Sequence, residues 1–265
     1  VKFAIIGYGR CGKGVEKLFL RAGVEAQIVT AKTVDGEGGY RYSLGEALPK
    51  ELAAFLADET PRLMLLSLPD GLIRECAEEF ATHADIGDGL SVIHASGALD
   101  VAELRPLKEK GAWTGAFHPN VPFASGVESP LISSVVFQGS VELARELNRL
   151  LVPIGVSLQV VESLSRPLYH AANVLAAGHV MTLIREAERL LTRAGLTAQQ
   201  ARVVLNSLVE AHAHNLSLSE GQINDLITGP FKRGDEKTLD LHRQHLAEYP
   251  ELAELYFELG SWATR

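Results

Sequence analysis

The chain has 265 residues, 46% of them hydrophobic and 22% charged, with a formal net charge of -8. That length holds one large domain or two ordinary ones with real cores. The acidic balance, with no long basic run, argues against a nucleic-acid or anionic-membrane surface.

Strands are predicted at 2–6, 26–31, 62–68, 90–95, 113–117, 134–138 and 157–161. Helical patterns fall between them at about 12–22, 49–58, 71–83, 100–110 and 140–152. The alternation marks a parallel sheet covered by helices. Val15, Leu18, Phe19 and Ala22 repeat with helical spacing before Gly23, a stop signal. The Gly- and Tyr-rich stretch 33–45 reads as a loop or a short edge strand. After Glu162 the pattern is helical only. A long helix is expected from Ser165, a cap candidate followed by Pro167, to about Ala194, and is expected to be buried on more than one face. Further helices follow at 197–216, 236–247 and 250–260. The expected domains are therefore 1–163, α/β, and 164–265, all-helical.

No apolar run approaches the roughly 20 residues of a membrane span, and no secretory signal pattern opens the chain. Cys11 and Cys76 are too few for a disulfide framework and lack metal-ligand spacing, so they read as free thiols of a cytoplasmic protein. A metal site from Asp235, His242 and His245 has no established spacing behind it, and none is expected.

Gly7-Tyr8-Gly9-Arg10-Cys11-Gly12 sits between an apolar strand and an amphipathic helix. Alone the three glycines are a weak signal. In that context they read as the pyrophosphate loop of a Rossmann domain: a tight turn, close backbone approach to the anion, and a helix N-terminus offering N–H groups. A tight turn with no ligand is the plainer alternative. The second strand ends in Thr30-Ala31-Lys32-Thr33 instead of the acidic residue that usually holds an NAD ribose, which favours NADP. Asp35 remains available to a ribose, and Lys32 could equally be a surface lysine. Cys11 is read as a small residue tolerated in the loop.

Polar clusters also fall at strand ends, where open α/β sheets bind ligands. Leu68 and Pro69 are placed beside the nicotinamide, with Asp70 as a helix cap. Ser96, in His94-Ala95-Ser96-Gly97, and His118, in Phe117-His118-Pro119-Asn120, are candidate cofactor or substrate contacts. On the helix from Ser165, Arg166, His170, Asn173 and Ala177 share one stripe, which must meet either the cleft or a structural polar network. Asp235 reads as an N-cap and Arg233 as a carboxylate fork.

With Tyr169-His170-Ala171-Ala172 and Thr228-Gly229-Pro230 in the same order, the chain resembles Rossmann-like proteins carrying a DUF2520 domain. These are distant relatives of pyrroline-5-carboxylate reductase and 6-phosphogluconate dehydrogenase. The resemblance implies a nicotinamide-dependent oxidoreductase with a 6-phosphogluconate-dehydrogenase-like helical domain and a homodimer built on the helical parts. Family members often carry Asn eight residues after the equivalent of His170. This chain has Gly178 there, leaving Asn173 and His179 as candidate replacements. The expected activity is NADP-dependent reduction of a small oxo acid, ketopantoate-like, or an imine. His170 with Asn173 would protonate, Ser96 and His118 would orient the substrate, and Arg233 would hold a carboxylate. A nucleotide-sensing module and a deazaflavin-dependent enzyme are the alternatives.

Overall fold

The computed structural model describes residues 1–31, 39–41, 43–128 and 131–265. The chain divides into two compact units, Val1–Met181 and Thr182–Arg265. The first contains one eight-stranded sheet: β1 (Lys2–Ile6), β2 (Ala26–Ala31), β3 (Gly39–Arg41), β4 (Arg62–Leu66), β5 (Leu90–His94), β6 (Trp113–Pro119), β7 (Ser134–Gly139) and β8 (Ser157–Val160). Their order is β3-β2-β1-β4-β5-β6-β7-β8. The first six run parallel, β7 is antiparallel to β6, and β8 is parallel to β7. The order of the first six is that of a dinucleotide-binding sheet, whose direction of growth reverses between β1 and β4. The ambiguous stretch 33–45 contributes β3, the edge strand.

Both faces of the sheet are covered, so its strands are apolar throughout rather than alternating with polar residues. Ala4, Ile6, Met64 and Leu66 pack with α2 (Lys50–Ala57), α3 (Asp70–His83) and α4 (Arg105–Glu109). Phe3, Ile5, Leu63 and Leu65 pack with α1 (Arg10–Arg21) and α5 (Val141–Leu151). Arg62 is buried at the amino end of the interior strand β4, the end of the sheet opposite the candidate site. Its two terminal guanidinium nitrogens donate to the carbonyls of Leu56, Thr60, Gly87 and Asp88 at 2.7–3.0 Å, acceptors that stand in for water there, while the buried Nε has no partner among the described residues.

The long helix predicted from Ser165 is α6 (Arg166–Val174), a π-helical turn at Leu175–His179, and α7 (Val180–Arg193). Ser165 and Pro167 stand at its start as expected, but the Ser165 side chain makes no cap bond. The helix is not buried on several faces within the single chain: Leu168, Leu175 and Met181 are 74%, 62% and 61% exposed. Composition changes at 163/164, whereas the compact units divide after Met181. The two differ because α6, the first of the helix-only elements, is anchored on the sheet by Arg166, which donates to the Ala116 carbonyl.

In the second unit, Thr197 and Gln200 form a reciprocal capping box at the start of α8 (Ala198–Leu218). Asp235 caps α10 (Glu236–Leu246) by accepting from the Thr238 N–H, as the sequence predicts. Phe231, in the one-turn helix α9 (Pro230–Arg233), packs against Gly260 of α11 (Pro250–Trp262) so closely that a Cβ there would lie 2.2 Å from its ring. His242 is bonded to the Tyr256 hydroxyl at 2.7 Å, and His245 to the Leu241 carbonyl. Among the described residues no acidic, histidine or cysteine group is arranged to hold a metal, and no helix is long and apolar enough to cross a membrane.

Candidate functional site

The glycine loop joins β1 to α1, and its three glycines do different work. Gly7 has φ +93° and an added Cβ would lie 2.3 Å from the Ser67 carbonyl oxygen. At Gly12 an added Cβ would lie 2.5 Å from the Gly7 carbonyl oxygen. Both are required by the protein's own packing. Gly9 is not: its φ of -81° suits any residue, and an added Cβ would meet nothing within 4 Å. The side chain missing at Gly9 therefore clears space in the cleft, not in the fold. Directly behind it, α1 starts with no side-chain cap and no acidic residue in its first turn. Its leading N–H groups are thus available to an anion.

The loop is tied to the end of β2, where the Thr30 carbonyl accepts from the Gly7 and Tyr8 N–H groups at 3.0 and 3.1 Å. Thr30 itself is buried, 2% exposed, while Lys32, Thr33 and Asp35 lie outside the described residues. Tyr8 is turned onto α1 and bonded to Glu16; burial and then Glu16 push its pKa up to about 12. Burial also raises the Cys11 thiol, despite a bond from Ser67, which agrees with reading Cys11 as a small lining residue.

The cleft beside the loop encloses about 430 Å³. It is lined by Gly9, Arg10 and Cys11 from the loop, Ser67, Leu68, Pro69 and Asp70 after β4, Ala95, Ser96 and Gly97 after β5, then His118, Phe123 and His170. Segments more than 150 residues apart in sequence thus meet at the carboxyl ends of neighbouring strands. Asp70 is the first residue of α3 and its side chain makes no cap bond, which corrects the capping role. Ser96 is 8% exposed, and its hydroxyl oxygen accepts from the Ala98 and Leu99 N–H groups at 3.2 and 3.1 Å. It shapes the turn that presents Gly97. A Cβ on Gly97 would lie 2.7 Å from His170 Cδ2 and 2.9 Å from His118 Nε2, so the two imidazoles close over this glycine. Their ring centroids are 6.3 Å apart, edge to face.

His118 is backed by a chain of polar groups. Its Nδ1 lies 2.7 Å from the Tyr169 hydroxyl, which donates to Asn120 Oδ1 at 2.5 Å. Asn120 Nδ2 in turn donates to Ser134 Oγ at 3.1 Å. Burial lowers the His118 pKa to about 4 against the Asn120 bond, with His170 and Arg166 adding repulsion. Arg166 is 1% exposed and donates to Gln138 Oε1 and the Ala116 carbonyl, at 3.1 and 3.0 Å.

The stripe predicted on this helix therefore splits. Arg166 belongs to a structural network, and His170 lines the cleft. Asn173 donates to the Tyr169 carbonyl one turn back, at 2.9 Å, and is not among the lining residues. Arg233 lies in the second unit, as the last residue of α9. The space over Gly9 agrees with the close backbone approach expected of the loop, whereas Phe123 and the Tyr169 contact to His118 carry no sequence signal of their own. Phe123 follows two prolines with no periodicity to mark it, and Tyr169 is visible in sequence only as part of the Tyr-His-Ala-Ala run.

One step back from the cleft, His94 is fully buried on β5 and its Nε2 lies 3.2 Å from the Asp100 carbonyl oxygen. Burial holds its pKa down at about 4. The unfolded chain, with histidine near 6.5, binds a proton that the folded protein refuses, so this stability is complete above about pH 6.5. It is lost progressively as pH falls toward 4. We expect unfolding free energy to drop by about 3 kcal/mol across that window from His94. Urea titrations from pH 7 to 4 on the wild type and on His94→Asn will check it. An equal pH slope in the variant would overturn it.

The comparisons agree with this architecture. Residues 1–119 match the family model for a Rossmann-like domain, and residues 133–262 match that for DUF2520, a domain of unknown function. No curated protein matches. Among solved structures, the chain is similar to a Bacteroides fragilis protein described as an NADP oxidoreductase, with TM-score 0.74, 20% identity, and 99% and 97% of the two chains covered. It is similar to a Thermotoga maritima protein, with TM-score 0.64, 18% identity, and 98% and 96% covered. It is also similar to a Plasmodium falciparum pyrroline carboxylate reductase with NADP bound, with TM-score 0.64, 11% identity, and both chains covered in full. The chain thus joins a Rossmann-like domain to a DUF2520 domain.

Proposed function

We infer that the chain is an NADP-dependent oxidoreductase that reduces a small oxo acid or imine. The observation that carries this reading is Gly9, whose missing side chain opens onto an uncapped helix N-terminus at the mouth of a cleft holding two histidines. A pyrophosphate fits there: the amides opening α1 would hold it, and Leu68, Pro69 and Ser96 would flank the rest of the cofactor. The similarity to a reductase with NADP bound supports the same choice. When bound, the nicotinamide supplies the hydride. His170 has the free position needed to move a proton to or from the reacting group, and His118 orients the substrate. Lys32 and Thr33 remain candidate 2′-phosphate contacts, and Arg233 a candidate carboxylate contact.

Purified protein is expected to bind NADPH more tightly than NADH and to oxidise it with at least one member of a 2-oxo-acid and imine panel. His170→Ala should lower kcat by about 10²–10⁴. Tight NADPH binding with no turnover on any member would instead favour the nucleotide-sensing alternative.

The exposed apolar side chains of the helical region support a homodimer. Leu168, Leu175, Met181, Val203 and Leu208 are all more than half exposed, apolar side chains that a second copy of the chain would cover. Light scattering is expected to give twice the 28.7 kDa chain mass. A monomer at micromolar concentration would remove this part of the proposal.

A further inference from the structure

Two histidines lie over Gly97 in one cleft, and their surroundings differ in a way that assigns them opposite roles. His170 lines the cleft, with no hydrogen-bond partner for its ring nitrogens among the described residues. His118 has its Nδ1 edge turned away from the cleft into the chain Tyr169, Asn120, Ser134. The donors along that chain run one way. Asn120 Nδ2 donates to Ser134, which leaves Asn120 Oδ1 as an acceptor. The single proton of the Tyr169 hydroxyl goes to that oxygen. The same hydroxyl then has only lone pairs to offer His118, so His118 Nδ1 must carry a hydrogen. What remains is Nε2, on the side of Gly97, with a bare lone pair.

We propose that Asn120 and Tyr169 are positioning residues that lock His118 as the neutral Nδ1–H tautomer, so that its Nε2 accepts a hydrogen bond from an N–H group of the substrate. This rests on the reductase reading above and narrows its substrate class to an iminium over a bare oxo group. An oxo oxygen has no hydrogen to give Nε2, and meeting it there would require His118 to be protonated. Burial and the neighbouring Arg166 oppose that charge. An iminium needs no proton from His118, and His170 is left to move the proton that interconverts imine and iminium. Its carbon accepts a hydride from NADPH, the C=N π pair moves onto nitrogen, and the N–H stays bonded to His118 throughout. The products are a neutral amine and NADP⁺, and atoms and charge balance. Asp70, which lines the same cleft, supplies a negative charge for the cationic substrate to face. Burial raises the Tyr169 hydroxyl above its ordinary pKa, so it keeps the proton that sets the direction of the chain.

The lock is read directly by nitrogen NMR of histidine-labelled full-length protein at pH 7, with and without NADP. We expect His118 to show a protonated Nδ1 and an unprotonated Nε2, and Tyr169→Phe to show a mixture of the two neutral tautomers. Asn120→Ser provides the same readout through a smaller change should Tyr169→Phe fold poorly. In the NADP-loaded protein, pyrrolidinium is expected to shift the Nε2 signal and pyruvate to leave it unmoved. The preference for pyrrolidinium should fall about tenfold in Tyr169→Phe, the value of one ordinary hydrogen bond. A wild-type His118 protonated at Nε2, or a Nε2 signal moved by pyruvate alone or by neither probe, would overturn the proposal. The tautomer needs no nucleotide and no turnover, so a correct lock in a protein that fails to reduce anything would count against the reductase reading and not against the lock.

Discussion

Gly9→Val is expected to fold, losing no more than about 1 kcal/mol as a poorer N-cap, and to bind NADPH about a hundredfold more weakly, a loss of about 3 kcal/mol. Gly9 has a φ that any residue adopts, and the new Cβ meets nothing in the protein, so packing raises no objection. The added side chain instead stands in front of the first N–H groups of α1, where a pyrophosphate would need close approach. Losing about two charge-assisted hydrogen bonds accounts for the size of the effect. The two other glycines should behave in the opposite way. Gly7→Ala places a Cβ 2.3 Å from the Ser67 carbonyl oxygen at a φ of +93°, and Gly12→Ala places one 2.5 Å from the Gly7 carbonyl oxygen. Each should destabilise the protein by about 2–3 kcal/mol before any ligand is added. NADPH titrations paired with urea melts separate the two classes. Unchanged affinity in Gly9→Val would remove the cofactor assignment, because no other role for that glycine is visible.

The second large effect is expected at Gly97. Gly97→Ala brings a methyl group to 2.7 Å from His170 Cδ2 and 2.9 Å from His118 Nε2. His118 is tethered through Tyr169 and cannot yield freely, so the rings must separate or His170 must turn out of the cleft. Displacing a reacting group by about 1 Å costs on the order of a hundredfold in rate. We therefore expect kcat/KM on whichever panel substrate is active to fall about a hundredfold. The substituted residue is on a turn at the mouth of the sheet, so the thermal midpoint should change little. Wild-type turnover in this variant would show that the space between the histidines is not where the substrate reacts.

Much of the architecture was legible because it follows from local rules. Seven of the eight strands appear where apolar runs and turn residues put them. The eighth, β3, lies in a stretch rich in Gly and Tyr where periodicity has nothing to register, and pairing with β2 decides it. The uninterrupted helix from Ser165 was a reasonable expectation from apolar spacing. The π-helical turn at Leu175–His179 is not visible at that level, because inserting a residue into a helix changes hydrogen bonds and not composition. Spacing alone also placed Arg166, His170 and Asn173 on one stripe, but it could not say what that stripe faces. The sheet takes Arg166, the cleft takes His170, and the helix's own backbone takes Asn173.

What the sequence determined by itself is the glycine loop, the strand–helix alternation around it and the change to helices after Glu162. Each depends on residues close together in the chain, whose conformational preferences act before any long-range contact forms. The tertiary structure alone decided that Gly7 and Gly12 serve the fold while Gly9 serves the cleft, since only packed neighbours show what a side chain would strike. It alone brought Gly97, His118 and His170 together, and set Tyr169 and Asn120 behind one histidine and not the other. A tautomer is fixed by the direction of hydrogen bonds across strands and helices distant in sequence, and no pattern along the chain records that direction.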